Sequence, residues 1–359
     1  MQPSSPSFAS SPAASSEGRS RVRGHAASPR LAGTRAGSSL VRDAAGVAAI
    51  AAIGAAGYWL FPDNLALLTR VIAVALLALS LDLVVGYCGV ATLGHATLFG
   101  AGAYAAGMAC LRGVTEPMTL VLIGAAAGAA AGLVMGAVML RAHGLAQLVL
   151  SIAIVQLAHE AANKASAFTG GSDGLAGFSP SPLFGTFAFD LWGRTAYLFG
   201  LALLVGVFVV LKFVVASPFG MLCRGIKEDP VRIRAMGAFV FPVLLKMFVI
   251  SGAVAGTGGA LAALSTQVVG LDSVSFELSA NALVMLVLGG LGSLYGALVG
   301  TVVFMGFEHT VSAVNPFHWM TMVGALLIAV VLVAPGGLGG LAGRLRAAVR
   351  GAGGGRGRP

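Results

Sequence analysis

Long apolar blocks dominate the chain from about residue 44 onwards, and short polar or proline-containing breaks separate them. An α-helix rises about 1.5 Å per residue, so roughly 20 apolar residues cross the hydrocarbon core of a bilayer. Eight blocks have about this length and predict transmembrane helices. The predicted spans are residues 44–61, 65–86, 92–111, 118–140, 144–163, 195–216, 242–264 and 318–334.

One further apolar stretch, residues 280–311, is interrupted near its middle by Gly289-Gly290-Leu291-Gly292-Ser293. Cytoplasmic loops and tails carry an excess of Lys and Arg. The basic tails at both ends of this chain are therefore expected inside, and the eight spans satisfy that bias only if residues 280–311 do not add a simple crossing. We predict a re-entrant pair of half-helices here, which is tolerated where protein or a water-filled cavity covers the broken backbone.

Two hydrophilic connections give the predicted orientation and domain plan. Residues 217–241 hold four basic and two acidic residues, whereas residues 164–194 hold two of each, so the first is expected in the cytoplasm and the second outside. The predicted fold class is an all-α polytopic integral membrane protein. A disordered basic cytoplasmic tail occupies residues 1–42, a transmembrane domain residues 43–337, and a Gly/Arg-rich cytoplasmic tail residues 338–359.

Composition agrees with a membrane protein and excludes other classes. Hydrophobic residues make up 57% of the chain and charged residues 10%, which excludes a soluble, a disordered or a collagen-like protein. The 52 glycines suggest tight packing, because small residues let membrane helices approach closely. The net charge of +9 lies in the tails and one loop, so nucleic-acid binding is not expected. A transit peptide is the alternative interpretation of the Arg- and Ser-rich, acid-poor residues 1–42.

Four short sequences are informative about the family because they occur together and in a particular order, whereas any one of them alone would be a weak signal. Residues 82–104 read DLVVGYCGVATLGHATLFGAGAY, residues 169–175 read TGGSDGL, residues 217–237 read SPFGMLCRGIKEDPVRIRAMG, and residues 284–296 read VMLVLGGLGSLYG. Together they resemble the permease subunits of branched-chain amino-acid ABC importers, the Liv type, and the LivM branch more than the LivH branch. The resemblance runs from about residue 65 to about residue 337.

The resemblance implies an ABC-importer permease fold and a set of partners. In this family a second related permease, here LivH-like, pairs with the first, two cytoplasmic ABC ATPases dock beneath them, and a periplasmic substrate-binding protein delivers the substrate. The chain would then translocate branched-chain or related small amino acids across the bacterial inner membrane. It would need no cofactor of its own, since ATP is used by the partner subunits. Urea or short-chain amides are the alternative substrates within the same family.

The resemblance also implies an ATPase-coupling loop at Ser217–Gly237. Pro218 sets a turn there, Gly220 permits a tight bend, and Glu228-Asp229-Pro230 begins a new helical turn with its acids near the positive helix end. A solvated basic loop that holds the topology is the simpler alternative. Lys227, like Pro230, departs from the family pattern. The candidate coupling residues are Ser217, Pro218, Phe219, Gly220, Arg224, Gly225, Ile226, Lys227, Glu228, Asp229, Arg232, Ala235 and Gly237.

A translocation path is implied around Gly86–Tyr104. His95 either hydrogen-bonds across helices or is a satisfied interior histidine. Asp82 is notable because an acid in a membrane segment is costly, although near the predicted inner end it could reach interfacial water, and the family usually carries Asn at this place. The candidate path or packing residues are Gly86, Gly94, His95, Gly102, Tyr104, Gly289, Gly290 and Gly292.

The outer loop holds a third candidate group, which is either a contact for the binding protein or outer gate, or a plain structural turn. Its glycines give backbone freedom, and Ser and Asp side chains form turn-type hydrogen bonds. The residues are Thr169, Gly170, Gly171, Ser172, Asp173 and Gly174.

Other functional classes lack the residues they need. A phosphate-binding loop requires Gly-Lys-Ser/Thr, and none of the four lysines follows a glycine. The six histidines show no metal-ligand spacing, so neither a catalytic nor a metal site is expected. A stand-alone secondary transporter would favour charged residues deep within its spans, and these are nearly absent. An integral-membrane enzyme would need a polar catalytic cluster, which the sequence does not offer.

Overall fold

A computed structural model describes residues 33–182 and 193–314, together with six isolated positions between residues 321 and 337. The described residues divide into two units, one ending at Gly46 and one beginning at Val47. The described residues are mainly helical, as expected where backbone hydrogen bonds must be satisfied within each segment in lipid. The predicted class of an all-α polytopic membrane protein is confirmed.

The described part of the chain contains twelve α-helices and one two-stranded antiparallel sheet. The helices are α1 (Gly33–Leu60), α2 (Leu65–Leu81), α3 (His95–Leu111), α4 (Pro117–Met139), α5 (Leu145–Lys164), α6 (Ser166–Thr169), α7 (Arg194–Ala216), α8 (Pro218–Glu228), α9 (Pro230–Ala235), α10 (Val240–Thr266), α11 (Phe276–Gly289) and α12 (Leu294–Val314). The strands are β1 (Leu175–Ala176) and β2 (Val268–Val269), with Leu175 opposite Val269.

Among the described residues, six helices are long and apolar enough to cross a membrane. They are α2 with its extension to Tyr87, α4, α5, α7, α10 and α12. Two further apolar helices, Ala45–Leu60 and α11, are shorter. The chain is therefore a multi-pass membrane protein. Most of the span predicted at residues 318–334 lies outside the described residues, so the number of eight crossings stays a prediction.

The N-terminal boundary differs from the prediction. Helix α1 begins at Gly33, so residues 33–42 are helical although the sequence assigned them to a disordered tail. Nucleating a helix is costly but extending one is not, so the apolar segment from residue 45 onwards can carry helix into the preceding Ala-, Arg- and Leu-containing residues. The rest of the predicted N-terminal tail, residues 1–32, and the predicted C-terminal tail, residues 338–359, lie outside the described residues.

The broken apolar stretch at 280–311 forms a helical hairpin. Helix α11 ends at Gly289, helix α12 begins at Leu294, and Gly290 and Gly292 between them have positive φ angles of 103° and 78°. Gly289 packs on Gly296, and Gly300 packs on Met285, so the two helices run antiparallel. The break is where the sequence predicted it. Helix α12 is longer than a half-helix, because 21 residues extend about 31 Å and suffice to cross a bilayer.

Helix α10 lies at the centre of the helix packing and contacts α2, α3 and α4. Its most extensive contact is with α4, where Gly252 and Gly256 face Gly124, Gly128 and Gly132. A methyl group on Gly252 would overlap the carbonyl oxygen of Gly128, and one on Gly256 would overlap that of Gly124. Part of the glycine excess therefore serves direct contact between two helix backbones, as the composition predicted.

Candidate functional site

Residues 217–241, called here the basic segment, fold into the two short helices α8 and α9. The Ser217 hydroxyl caps α8 by accepting a hydrogen bond from the N–H of Gly220 at 3.3 Å, and Pro218 occupies the first turn, where no backbone donor is needed. The Asp229 carboxylate caps α9 by accepting hydrogen bonds from two N–H groups of its first turn, each at 3.0 Å. A new helix therefore begins where the Glu-Asp-Pro sequence indicated one.

One face of α8 packs against the end of the long helix α2, which continues as a π-helical turn over Asp82–Tyr87. The ammonium group of Lys227 donates a hydrogen bond to the carbonyl oxygen of Gly86 at 2.6 Å. The guanidinium group of Arg224 lies 5.0 Å from the centre of the Tyr87 ring, within cation–π range. These contacts attach the basic segment directly to the residues where α2 ends.

The same face of α8 also touches the residues that follow the π-helical turn. The Cys223 thiol next to Cys88, together with burial, raises the pKa of the Cys88 thiol above its usual range. Cys88 is therefore protonated at neutral pH. Gly89 has a φ of 73° and lies against the Lys227 side chain, so a Cβ at this position would be both strained and crowded. This contact needs glycine.

Asp82 connects the contact between α8 and the end of α2 to the break between α11 and α12. Its Oδ1 accepts a 2.7 Å hydrogen bond from the N–H of Gly292, between α11 and α12, and the Lys227 ammonium group attracts its carboxylate. The side chain is fully buried, and its Oδ2 has no hydrogen-bond partner among the described residues. The prediction that Asp82 could reach interfacial water is therefore wrong: the carboxylate points inward to the break at Gly292.

The non-helical residues 88–94, between α2 and α3, need partners for their backbone because they lie among packed helices. The Ser151 hydroxyl of α5 accepts a hydrogen bond from the N–H of Leu93 at 3.0 Å. The Thr92 hydroxyl accepts one from the N–H of Gly94 at 3.2 Å, and the N–H of Val90 donates to a carbonyl of the preceding turn. Single polar residues therefore replace the missing helical bonds.

His95, the first residue of α3, is fully buried and connects three helices. Its Nε2 lies 2.9 Å from the Ser251 hydroxyl of α10, and that hydroxyl donates to the carbonyl oxygen of Ser80 in α2 at 2.8 Å. Because the single Ser251 proton goes to Ser80, Nε2 of His95 must be the donor to Ser251. The next backbone N–H, at Ala96, donates to the Ser279 hydroxyl of α11 at 2.9 Å. His95 thus hydrogen-bonds across helices.

The other candidate path residues lie apart from one another. Gly94 faces the backbone of Ser151, Gly102 packs on Gly256 of α10, and Tyr104 lies further along α3 with a buried hydroxyl. Gly289 and Gly290 belong to the break beside Asp82. The structure therefore brings together Gly86, Gly290 and Gly292 at one end of α2 and Gly94 with His95 deeper in the bundle, while Gly102 has a packing role.

The loop predicted to lie outside is described over residues 164–182 and 193–194. Thr169 ends α6, and its hydroxyl accepts a hydrogen bond from the N–H of Gly171 at 3.3 Å. Gly170, Gly171 and Gly174 all have positive φ angles, whereas Ser172 and Asp173 are exposed. Strand β1 then pairs with β2, so a folded turn with two exposed polar side chains is tied to the segment that follows α10.

The remaining coupling candidates differ in how exposed they are to solvent. Gly220 and Ile226 are buried and hold α8 against the bundle, and Phe219 and Gly225 are half-buried. Large apolar side chains are also exposed on the basic segment, between 60% and 80%: Met221, Val231, Met236 and Phe239. The exposed candidates are Arg224, Lys227, Glu228, Asp229, Arg232, Ala235 and Gly237.

Sequence reasoning missed the polar residues that hold the breaks. Ser80, Thr92, Ser151, Ser251 and Ser279 each stand within or beside an apolar block, where a single hydroxyl gives no motif. Their only sequence signal is a hydroxyl group at membrane depth, where polar side chains form hydrogen bonds between helices. No three potential metal ligands come together within the described residues.

Comparison with known proteins identifies the family. The family model for the permease component of branched-chain amino acid transport systems matches residues 64–332, about three quarters of the chain. The chain belongs to this permease family. The resemblance drawn from the four short sequences is thereby confirmed, and its relatives are transport permeases rather than enzymes.

Individual relatives agree with the family. The high-affinity branched-chain amino acid transport system permease protein LivM of Salmonella typhimurium strain LT2 is 27% identical over 73% of this chain and 67% of its own length. LivM of Escherichia coli K12 has the same identity and coverage. The permease protein LivH of Salmonella typhimurium is 32% identical over 35% of this chain and 41% of its own length. No solved structure matches the chain.

Proposed function

We propose that this chain is one permease subunit of an ABC importer that carries branched-chain amino acids across the bacterial inner membrane. Separate ATPase subunits supply the energy, a LivH-like permease forms the other half of the membrane channel, and a periplasmic binding protein delivers the substrate. The chain itself binds no cofactor. Family membership and the names of its relatives support the transport role and the substrate class.

The contact between α8 and the helix breaks carries the mechanistic part of the proposal. Lys227 bonds Gly86, and Asp82, one turn before Gly86, bonds Gly292. A push on α8 would therefore reach both breaks through hydrogen bonds and packed side chains. Broken helices are places where a membrane protein can bend without losing complete helical ladders. ATP-driven movement of the ATPases would thus be transmitted to the path.

The exposed surface of the basic segment suits a docking partner. Glu228, Asp229 and Arg232 offer charges of both signs, and Val231 and Met236 add apolar area that is 72% and 70% exposed. Protein interfaces combine an apolar centre with a polar rim. We assign this surface to an ATPase subunit in the cytoplasm, which also follows the positive-inside rule and puts Ser172 and Asp173 on the outer side.

The substrate is tested by reconstitution. The chain, its LivH-like partner, the ATPases and the binding protein are placed in proteoliposomes, and uptake of labelled leucine, isoleucine and valine is compared with that of urea and acetamide. We expect ATP-dependent uptake of the three amino acids. Uptake of urea or acetamide without uptake of leucine would show that the proposed substrate class is wrong. Uptake of leucine without the ATPases would overturn the ABC mechanism.

A further inference from the structure

Helix α5 is the least covered of the six candidate membrane spans among the described residues. Only 17% of its apolar window is buried, whereas the other candidate spans are between 33% and 78% buried. Its exposed positions recur every three or four residues, so they share one face of the helix. This α5 face consists of the exposed residues of the helix, which are Leu145, Ala146, Val149, Ala153, Gln156, Leu157, Glu160, Ala161 and Lys164.

Two residues of the α5 face are polar and lie within the length that crosses the membrane. Gln156 is about 16 Å from the start of α5 at Leu145 and about 12 Å from its end at Lys164, counted at about 1.5 Å per residue. Glu160 is about 6 Å from the end at Lys164. Gln156 is therefore near the middle of the span, and Glu160 is nearer the predicted outer side.

The exposed faces of α4 and α7 contrast with the α5 face. On α4 the exposed positions between the ends of the helix are Leu122, Ala126, Ala130, Leu133, Val134 and Val138. On α7 they are Leu198, Ala202, Gly206, Val210 and Phe213. Both faces are entirely apolar, as expected for contact with lipid. A carboxylate and a primary amide at membrane depth are costly in lipid and face a protein or a water-filled cavity instead.

We propose that the α5 face lines the water-filled substrate path between this chain and the second permease subunit, with Gln156 and Glu160 contacting the substrate. The inference rests on the proposed function. An amino acid carries an ammonium group that a carboxylate attracts and a carboxylate that an amide N–H can bind. Glu160 would meet the substrate first from the outer side, and Gln156 would meet it near the middle of the membrane.

Thiol labelling of the assembled transporter in proteoliposomes tests the proposal. Gln156→Cys, Glu160→Cys and the milder Ala153→Cys are each treated with a membrane-impermeant, charged methanethiosulfonate. Ala130→Cys on α4 and Val210→Cys on α7 are the lipid-facing controls, and Ser172→Cys in the outer loop is the accessible control. Cys88, Cys110 and Cys223 are buried, so the unsubstituted protein gives the background.

We expect the three α5 variants to react at least about tenfold faster than the α4 and α7 variants, because a charged reagent reaches only thiols in contact with water. Saturating the transporter with leucine-loaded binding protein should slow the reaction at positions 156 and 160. Reaction of the α5 variants as slow as that of the lipid-facing controls, while Ser172→Cys reacts, would overturn the proposal.

The same liposomes separate this proposal from the proposed function. ATP-dependent leucine uptake is measured in each preparation before labelling. Uptake without labelling of the α5 variants would refute the path along α5 and leave the transport function intact. Labelling without uptake of any branched-chain amino acid would refute the proposed substrate and leave a water-filled path along α5.

Discussion

Asp82 and Gly292 are 210 positions apart in the sequence, and Oδ1 of Asp82 accepts a 2.7 Å hydrogen bond from the N–H of Gly292. The bond joins the π-helical end of α2 to the break between α11 and α12. Since Lys227 of α8 bonds Gly86 in the same π-helical turn, three separate parts of the chain meet in one cluster of hydrogen bonds. This cluster connects the basic segment to the broken helices through two hydrogen bonds.

Asp82→Leu should impair both folding and transport, whereas Asp82→Asn should be tolerated. Leucine leaves the Gly292 N–H without an acceptor, at a cost of about 1–3 kcal/mol, whereas asparagine keeps an oxygen that can accept the bond. ATP-dependent leucine uptake and thermal unfolding of the purified complex measure the two effects. Equal losses in both variants would mean that the negative charge, rather than the hydrogen bond, is the essential feature.

Lys227→Met should uncouple ATP hydrolysis from transport. Methionine keeps most of the side-chain packing against Gly89 but removes the ammonium group that bonds Gly86. We expect the number of leucine molecules carried per ATP hydrolysed to fall about tenfold, the effect of losing about 1.4 kcal/mol of coupling. Arg141→Met, an exposed cation in the connection between α4 and α5, is the matched control. An unchanged ratio in Lys227→Met would exclude this contact from coupling.

Gly128→Ala should destabilise the protein strongly, because a methyl group there overlaps the carbonyl oxygen of Gly252. Overpacking of this kind typically costs about 1–3 kcal/mol. Gly206→Ala on α7 is the control, since nothing lies within 4 Å of a Cβ at that position and the residue is exposed. The difference in the midpoint of thermal unfolding between the two variants measures the effect. Equal midpoints would show that α4 and α10 do not touch through their glycines.

Ser251→Ala should lower stability, because it removes the partner of His95 and the donor to Ser80 at once. Leaving such buried groups unpaired costs about 1–3 kcal/mol. Ser265→Ala on the same helix is the control, because its hydroxyl bonds a carbonyl of its own helix. Denaturation of the detergent-solubilised complex compares the variants. A Ser251→Ala variant as stable as Ser265→Ala would contradict a linking role for His95.

The sequence predicted the class, most helix bounds and the glycine break because these depend on local patterns. Apolar blocks of about 20 residues set the spans, and Ser217-Pro218 and Asp229-Pro230 carry their own helix-start signals. The family resemblance was visible because its four motifs occur in order. These features need no knowledge of which helix packs on which.

The rest depends on contacts between distant positions. Neither the fully buried Asp82 nor its bond to Gly292 can be read from the apolar block around it, since burial is decided by the packing of α11 and α12. In the sequence, Lys227 is one more basic residue of a hydrophilic segment. Its bond to Gly86 depends on the packing of α8 against the end of α2. Composition alone does not indicate the start of α1 at Gly33, because a helix that begins in the apolar segment can extend into the polar residues before it.

The central claim is that ATPase subunits drive transport through the exposed side of the basic segment. The double variant Glu228→Ala, Arg232→Ala tests it directly, with Arg141→Ala in the connection between α4 and α5 as the control. Since both residues are exposed, the fold should be unaffected. We expect ATPase co-purification and leucine uptake both to fall about tenfold or more, as for interface residues worth above about 1.4 kcal/mol. Association and uptake both at the level of the unsubstituted protein would contradict the claim.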